Sequence, residues 1–302
     1  MLKLMNKIIQ CVPNFSEGRN RQRIEKIVNP FRGREGVKLL DYSNDEIHNR
    51  LVVTVAGDPR AVADAVVEAV GVAIHEIDMT RHHGDHPRMG AVDVIPFVPV
   101  KNVSDEEAIA LSKEVAQTVS ERYGLPVFLY EKSASTPLRE NLANIRAGQF
   151  EGMAEKLRLP DWKPDYGPAE VHPTAGAVAV GMRMPLVAYN VNLRTENMET
   201  AKAIAKRVRF ADGGLRFCKA VGVALHDRGM VQVSLNLTDF TKTAIYSAHE
   251  LVRIEANRYG VSVAGAEIVG LVPLEALTDT VAYYLGLDNF SVNQVLETRI
   301  SE

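Results

Sequence analysis

The stretch Arg50-Leu51-Val52-Val53-Thr54-Val55-Ala56-Gly57-Asp58-Pro59 decides how this chain folds. Leu51, Val53 and Val55 alternate with Arg50, Val52 and Thr54, a period of two that predicts a half-buried strand over Arg50–Ala56. Asp58 then supplies the side chain of an N-cap, and Pro59 the preset φ of a first helical residue. Val62, Val66, Ala69 and Ala73 continue at helical spacing, so strand passes to helix with almost no loop. Working outward, Ile8–Val12 reads as a strand, Pro13 to Gly18 as a turn, Gln22–Phe31 as a helix, and Val37–Tyr42 and Ala91–Phe97 as strands. The order is βαββαβ.

The second half repeats that order. Leu186–Leu193 is a strand, and Ala201, Ile204, Ala205 and Val208 mark a helix. Phe217–Leu225 and Met230–Leu237 are strands joined across the hairpin His226-Asp227-Arg228-Gly229. Ile245, Ala248, Val252, Ala256 and Tyr259 line one face of a helix, and Val261–Val269 closes the set. The shared order is that of the split-βαβ, ferredoxin-like unit. The expected fold class is therefore α/β, of the α+β kind: two tandem ferredoxin-like split-βαβ subdomains, residues 1–180 and 181–302, with a cleft between them. Ser104 and Glu107 make a capping box ahead of a helix carrying Ala108, Leu111, Val115 and Val119. Pro126–Tyr130 reads as an added strand, Leu138–Ile145 as a short helix, and the proline-rich run from Leu159 to Pro173 as an irregular connector between the units.

A split-βαβ unit covers one sheet face with helices and leaves the other free. Alternation groups Asn190 with Asn192, and Gln232 with Ser234 and Asn236. Together with Cys218, Ala220, Gly222 and Ala224, these small and amide side chains are expected to form the free face of the second sheet, as a ligand floor or domain interface. A plainly solvated face would carry Lys, Glu and Thr instead. The same topology builds RNA-recognition domains, but neither Arg50–Ala56 nor Met230–Leu237 has the aromatic residues on which bases stack.

Composition bounds the rest. With 302 residues, 46% hydrophobic and 24% charged, the chain is an ordinary globular protein long enough for two cores. Lys and Arg total 35 against 38 Asp and Glu, a net charge of −3, which offers nucleic acid and anionic membrane no electrostatic attraction. Cys11 and Cys218 fit neither a zinc motif nor a disulfide framework. The start is too short an apolar run for a signal peptide, Met5 offers itself as the natural initiator, and the longest apolar stretch is broken by Asp93, Pro96 and Pro99. A cytoplasmic location is expected.

Chemistry concentrates in Arg81-His82-His83-Gly84-Asp85-His86-Pro87-Arg88-Met89-Gly90, where three of the eight histidines fall within five positions. Gly84 and Pro87 argue against the helix that would let His82 and His86 chelate zinc, and no distant Cys or carboxylate has motif spacing, so no metal is expected. A neutral imidazole in a loop held by proline and glycine is suited to general acid–base work near neutral pH. Asp45, Glu46, His48, Asn49 and Arg50 form a second polar cluster, in which Arg50 either clamps a substrate carboxylate or pairs with Asp45 or Glu46. Asn14, Ser16, Gly18 and Asn20 make a polar turn whose backbone N–H groups suit an anion, or serve the turn alone. A third candidate is the Gly- and Pro-punctuated segment from Asp165 to Ala177.

Three stretches together resemble the glutamate formiminotransferase family: Cys11-Val12-Pro13-Asn14-Phe15-Ser16-Glu17-Gly18, His82-His83-Gly84-Asp85-His86-Pro87-Arg88-Met89-Gly90, and Gly270-Leu271-Val272-Pro273-Leu274. The resemblance runs from about Ile8 to Leu287. It implies that the two subdomains are the N- and C-terminal formiminotransferase subdomains, a homodimer, and transfer of the formimino group of N-formiminoglutamate to N5 of tetrahydrofolate, the acceptor substrate, in histidine degradation. It also implies His86 as the catalytic base. The family's folate-binding loop matches Gly167, Pro168, Ala169, Glu170, Val171, His172, Pro173, Thr174, Ala175 and Gly176, with a further folate contact at Gly214. Asn14, Asp45, His48, Arg50 and Arg88 are the expected substrate-binding residues. Two departures stand out: vertebrate members have Trp where this chain has Ala175, and some members have an acid where it has Ser43. Vertebrate members also carry a cyclodeaminase domain, whereas this chain ends at Glu302 and is expected to release its product. The competing readings are formyl transfer between 5-formyltetrahydrofolate and glutamate, a non-catalytic folate-binding protein, and a metal-dependent hydrolase using His82, His83 and His86.

Overall fold

The computed structural model describes residues 7–300; Met5 lies outside them. Chain order in the first unit is β1 (Ile8–Cys11), β2 (Asn14–Phe15), α1 (Arg21–Val28), β3 (Val37–Asp45), β4 (Arg50–Gly57), α2 (Pro59–Glu76), β5 (Val92–Lys101), α3 (Asp105–Tyr123), β6 (Val127–Leu129), α4 (Pro137–Glu140), α5 (Leu142–Arg146), α6 (Gln149–Lys156) and β7 (Val178–Met182). The strand read at Arg50 is β4, and it pairs antiparallel with β3 on one side and with β1 and β2 on the other. β1 and β2 are two pieces of one central strand, which also pairs antiparallel with β5. That order is the split-βαβ unit, extended by β7 and β6 running parallel beyond β5.

Local chemistry places the helices as the sequence implied. The Asp58 carboxylate accepts from the N–H groups of Arg60 and Ala61, and Pro59 opens α2, a cap worth about 1 kcal/mol. Val62, Val66, Ala69 and Ala73 are fully buried under the sheet. The Ser104–Glu107 capping box opens α3, and Gly124, in the left-handed conformation, closes it.

Leu159 to Pro173 is not a connector between the units. The chain divides between Arg183 and Met184, after β7 has returned to the first sheet. The stretch is instead tied to β6, where Asp165 N–H donates to Val127 O (2.9 Å) and Val127 N–H to Tyr166 O (2.9 Å). Its prolines foretold irregular backbone but not its course; the five buried residues of β7 needed a parallel sheet to lie in.

The second unit runs β8 (Val187–Leu193), α7 (Met198–Val208), β9 (Cys218–Leu225), β10 (Met230–Leu237), α8 (Ile245–Arg258), β11 (Val263–Val269), α9 (Leu274–Leu285) and α10 (Leu296–Ile300). Its sheet is antiparallel in the order β11-β8-β10-β9. Helix α9 buries Ala276 and Thr278 and leaves Leu274, Val281, Tyr283, Tyr284 and Leu285 exposed.

One face assignment is overturned. Cys218, Ala220, Gly222 and Ala224 stand opposite Leu237, Leu235, Val233 and Val231, so they belong to the helix-covered face. They are small because α7 lies close: a Cβ on Gly222 would sit 2.9 Å from Lys202 N. The other face carries Asn190, Asn192, Gln232, Ser234 and Asn236 as expected, with Val221, Val223 and Glu267 among them. Gln232 Nε2 donates to Asn192 Oδ1 and Glu267 Oε1, both at 2.8 Å. Asn190 Nδ2 reaches the same Glu267 oxygen at 3.1 Å. Among the described residues no helix is long and apolar enough to cross a membrane.

Candidate active site

Four loops of the first unit are drawn together by backbone approaches that only glycine permits. A Cβ on Gly18 would lie 2.1 Å from Asp45 O, on Gly84 2.4 Å from His48 O, on Gly90 2.2 Å from Ala177 O, and on Gly176 (φ +74°) 2.2 Å from Met89 O. Hydrogen bonds tie the same loops: Gly18 N–H to Asn49 Oδ1 (2.8 Å), Asn49 Nδ2 to His83 O (2.9 Å) and Ala91 N–H to Ala175 O (2.9 Å). The N–H groups of the polar turn are consumed here. Ser16 N–H donates to Ala91 O, Gly18 N–H to Asn49, and Asn20 caps α1. The turn therefore knits loops and is not an anion nest.

The three histidines of the cluster have separate fates. His82 is buried, accepting from Arg88 Nε at Nδ1 (3.2 Å), so its proton sits on Nε2 and is given to Asn49 O (3.1 Å). Burial and the Arg88 charge hold its pKa below the ordinary value. His83 is exposed and contributes its carbonyl. Arg88, expected to meet a substrate carboxylate, is 6% exposed and already saturated. Its guanidinium is bidentate to Glu151 (2.6 and 2.9 Å) and also donates to Gln149 Oε1 (2.8 Å). The assignment of Arg88 to substrate is corrected: its partner, 63 residues away, gave no sequence signal. Among the described residues no three His, Cys, Asp or Glu side chains are grouped to hold a metal ion.

His86 lies a short distance away in different surroundings. Its ring meets that of His48 edge-on, with centroids 6.4 Å apart. Its Nε2 is buried without a hydrogen-bond partner, 3.9 Å from Asp93 Oδ2. Asp93, at 2% exposure, gives Oδ1 to Met89 N–H (3.1 Å) and Oδ2 to Arg146 of α5. Arg50 is also near, and its partner is neither Asp45 nor Glu46. Nε (2.9 Å) and Nη2 both donate to the amide oxygen of buried Asn14, whose Nδ2 is anchored on Val12 O (2.8 Å). Burial, then the charges of Arg50, Arg146, His48 and Arg88, push the His86 imidazole from its ordinary 6.5 down to about 3. Burial and Arg146 likewise bring Arg50 down to about 10, leaving it a cation. Here a neutral base stands among cations paired to a single carboxylate and an amide, an arrangement that takes up further anionic charge.

His48 is oriented by Asp45, through its backbone N–H to Oδ1 (2.8 Å) and its Nδ1 to Oδ2 (2.9 Å), and both side chains are half exposed. Burial raises the Asp45 pKa, but the His48 contacts outweigh it and the net direction is down. Ser43 is exposed on β3, two residues before Asp45.

The 167–176 segment is half surface and half core. Gly167 (φ +90°) presses on Leu125 O, and Pro168, Ala169 and Glu170 are exposed. Val171 packs on the small cluster of Met89, Phe128 and Ile145. His172 closes a tight turn, its Nδ1 accepting from Ala175 N–H (3.0 Å) and Thr174 N–H (3.4 Å). Pro173 is exposed, Thr174 O accepts from Met79 N–H (2.8 Å), and Ala175, 1% exposed, belongs to the core. Gly214 is in the second unit, where a Cβ would lie 2.3 Å from Val208 O. Sequence reasoning missed Asp93 and Arg146. The signal for Asp93 was present, since a lone acid in the apolar run of β5 must be paired if buried.

Comparison with known proteins gives two family matches: the formiminotransferase domain, N-terminal subdomain, over residues 8–183, and the formiminotransferase domain over residues 188–300. A glutamate formimidoyltransferase of Streptococcus pyogenes is 50% identical over 297 residues, which are 98% of this chain and 99% of the relative. One from Thermoplasma acidophilum is 46% identical, covering 98% of each. The formimidoyltransferase-cyclodeaminase of Mus musculus is 41% identical over 93% of this chain and 53% of its own length.

Proposed function

The chain belongs to the formiminotransferase family, and on that premise we propose that it moves the formimino group of N-formiminoglutamate to N5 of tetrahydrofolate, releasing glutamate. The observation that carries the reading is the neutral His86 imidazole beside Arg50 and Arg146, in a chain matching glutamate formimidoyltransferases over nearly its full length. N-formiminoglutamate is a dicarboxylate, and the Arg50 guanidinium, which donates to the neutral amide of Asn14, carries the charge and N–H groups to meet one of its carboxylates. The acceptor supplies a nucleophilic N5 amine, whose bond to the amidine carbon forms as that carbon's bond to the glutamate nitrogen breaks. His86 takes the N5 proton and hands it to the departing glutamate nitrogen, so it ends each cycle neutral. General base help of this kind contributes about 10²–10⁴-fold.

The exposed backbone of Gly167 to Glu170 suits the acceptor. Ala175 faces the core, so an aromatic plane at that position is not how this chain holds a pterin. A homodimer and a cytoplasmic location complete the proposal. The apolar residues exposed on α9 support self-association, which sedimentation would test. A single-turnover assay with tetrahydrofolate and N-formiminoglutamate should yield 5-formiminotetrahydrofolate, with chelator present or absent. Turnover with N-formylglutamate alone would replace the donor with a formyl group.

A further inference from the structure

A neutral imidazole carries one proton on one of two nitrogens, and which nitrogen is free decides where a general base does its work. For His86 the surroundings of Nε2 are fixed. That atom is buried, has no hydrogen-bond partner, and stands 3.9 Å from Asp93 Oδ2. Asp93 is held by Met89 N–H on one oxygen and by Arg146 on the other, so its carboxylate stays in place. A buried donor without an acceptor is costly, by about 1–3 kcal/mol, and a carboxylate is acceptor only. With the proton on Nε2, closing the gap by about 1 Å makes a charge-assisted hydrogen bond. With the proton on Nδ1, two lone pairs face each other across the same gap.

We propose that Asp93 is the positioning residue of the reaction, holding His86 as the Nε2–H tautomer so that Nδ1 is the nitrogen that takes the N5 proton. This rests on the transfer reading above for its chemistry, but not for its geometry. Arg146 takes part by anchoring Asp93 and by opposing the imidazolium form. When the imidazolium forms, Nδ1 has gained the N5 proton, Nε2 keeps its own, and the Asp93 carboxylate stays ionised beside it. No other oxidant, reductant or co-reactant is needed.

The experiment is long-range proton–nitrogen NMR of His86 in the free wild-type protein, followed by the same spectrum and single-turnover kinetics of Asp93→Asn. The Asn keeps the shape and an acceptor for Met89 N–H. Wild type is expected as the Nε2–H tautomer. Asp93→Asn is expected to shift that tautomer and to cut kcat about 10²–10⁴-fold, with little change in KM for tetrahydrofolate. An Nδ1–H wild type, with Nε2 accepting from Arg146, overturns the proposal whether or not the variant folds. So does an Asp93→Asn protein that loses turnover with its tautomer unchanged. A wild type that shows the Nε2–H form yet transfers nothing upholds the placement of the proton and removes the transfer reading instead.

Discussion

Two histidines of one ten-residue loop, His82 and His86, stand in separate histidine–arginine groups, and the contrast between those groups separates structure from chemistry. His82 and Arg88 have spent every polar atom on neighbours: Asn49 O, Gln149 and the bidentate Glu151. His86, with Arg50 and Arg146, has not. His86 Nε2 and Arg146 Nε are buried without partners, and Arg50 rests on an amide rather than an acid. In sequence His82 and His86 look alike, four positions apart in the same loop. What distinguishes them is saturation. A satisfied buried network makes the loop rigid, while an unsatisfied one of net positive charge leaves something for a ligand to complete.

The largest effect that would sharpen this contrast is His86→Ala. Turnover should fall about 10²–10⁴-fold with folding stability little altered, whereas a matching loss of stability in urea titrations would place His86 with His82. Arg50→Lys comes next. A point charge cannot reproduce the fork that spans Asn14 and a carboxylate, so kcat/KM for N-formiminoglutamate should drop by about 2–5 kcal/mol. Steady-state kinetics with the free donor would read it. Arg88→Met should do the opposite, destabilising by about 1–3 kcal/mol through the unmet His82 and Gln149 groups while leaving KM for the donor unchanged. Glu151, largely exposed, can turn to water. A raised KM at unchanged stability would break the comparison.

A further effect is on pH. His86 titrates near its ordinary 6.5 when unfolded and near 3 when folded, so in that interval the unfolded chain binds more protons. Stability should therefore fall as pH drops through 6.5 toward 3, and His86→Gln should flatten that slope in thermal melts taken across the window. A variant with the wild-type slope would assign the acid sensitivity elsewhere.

The parts of this molecule legible in sequence are those set by near neighbours. Asp58–Pro59 and the Ser104–Glu107 box announced helices because capping is a matter of three residues. Alternation showed which residues of β9 share a face. It could not say which face α7 would cover, since small side chains suit both a ligand floor and a close helix. At the site, His86, Arg50 and Asn14 were legible as polar groups in constrained loops. Arg88 looked equally available until Glu151 was found beside it. Asp93 and Arg146 required the fold itself, because their pairing joins a strand to a helix 53 residues later.

The glycine contacts that suture the four loops have a calorimetric consequence. Segments already fixed by Gly18, Gly84, Gly90 and Gly176 have no backbone freedom left to surrender when a small anion arrives. Donor binding to the first unit should then show a modest negative heat-capacity change, scaled to the apolar area covered, without the large opposing enthalpy and entropy of a loop that folds around its ligand.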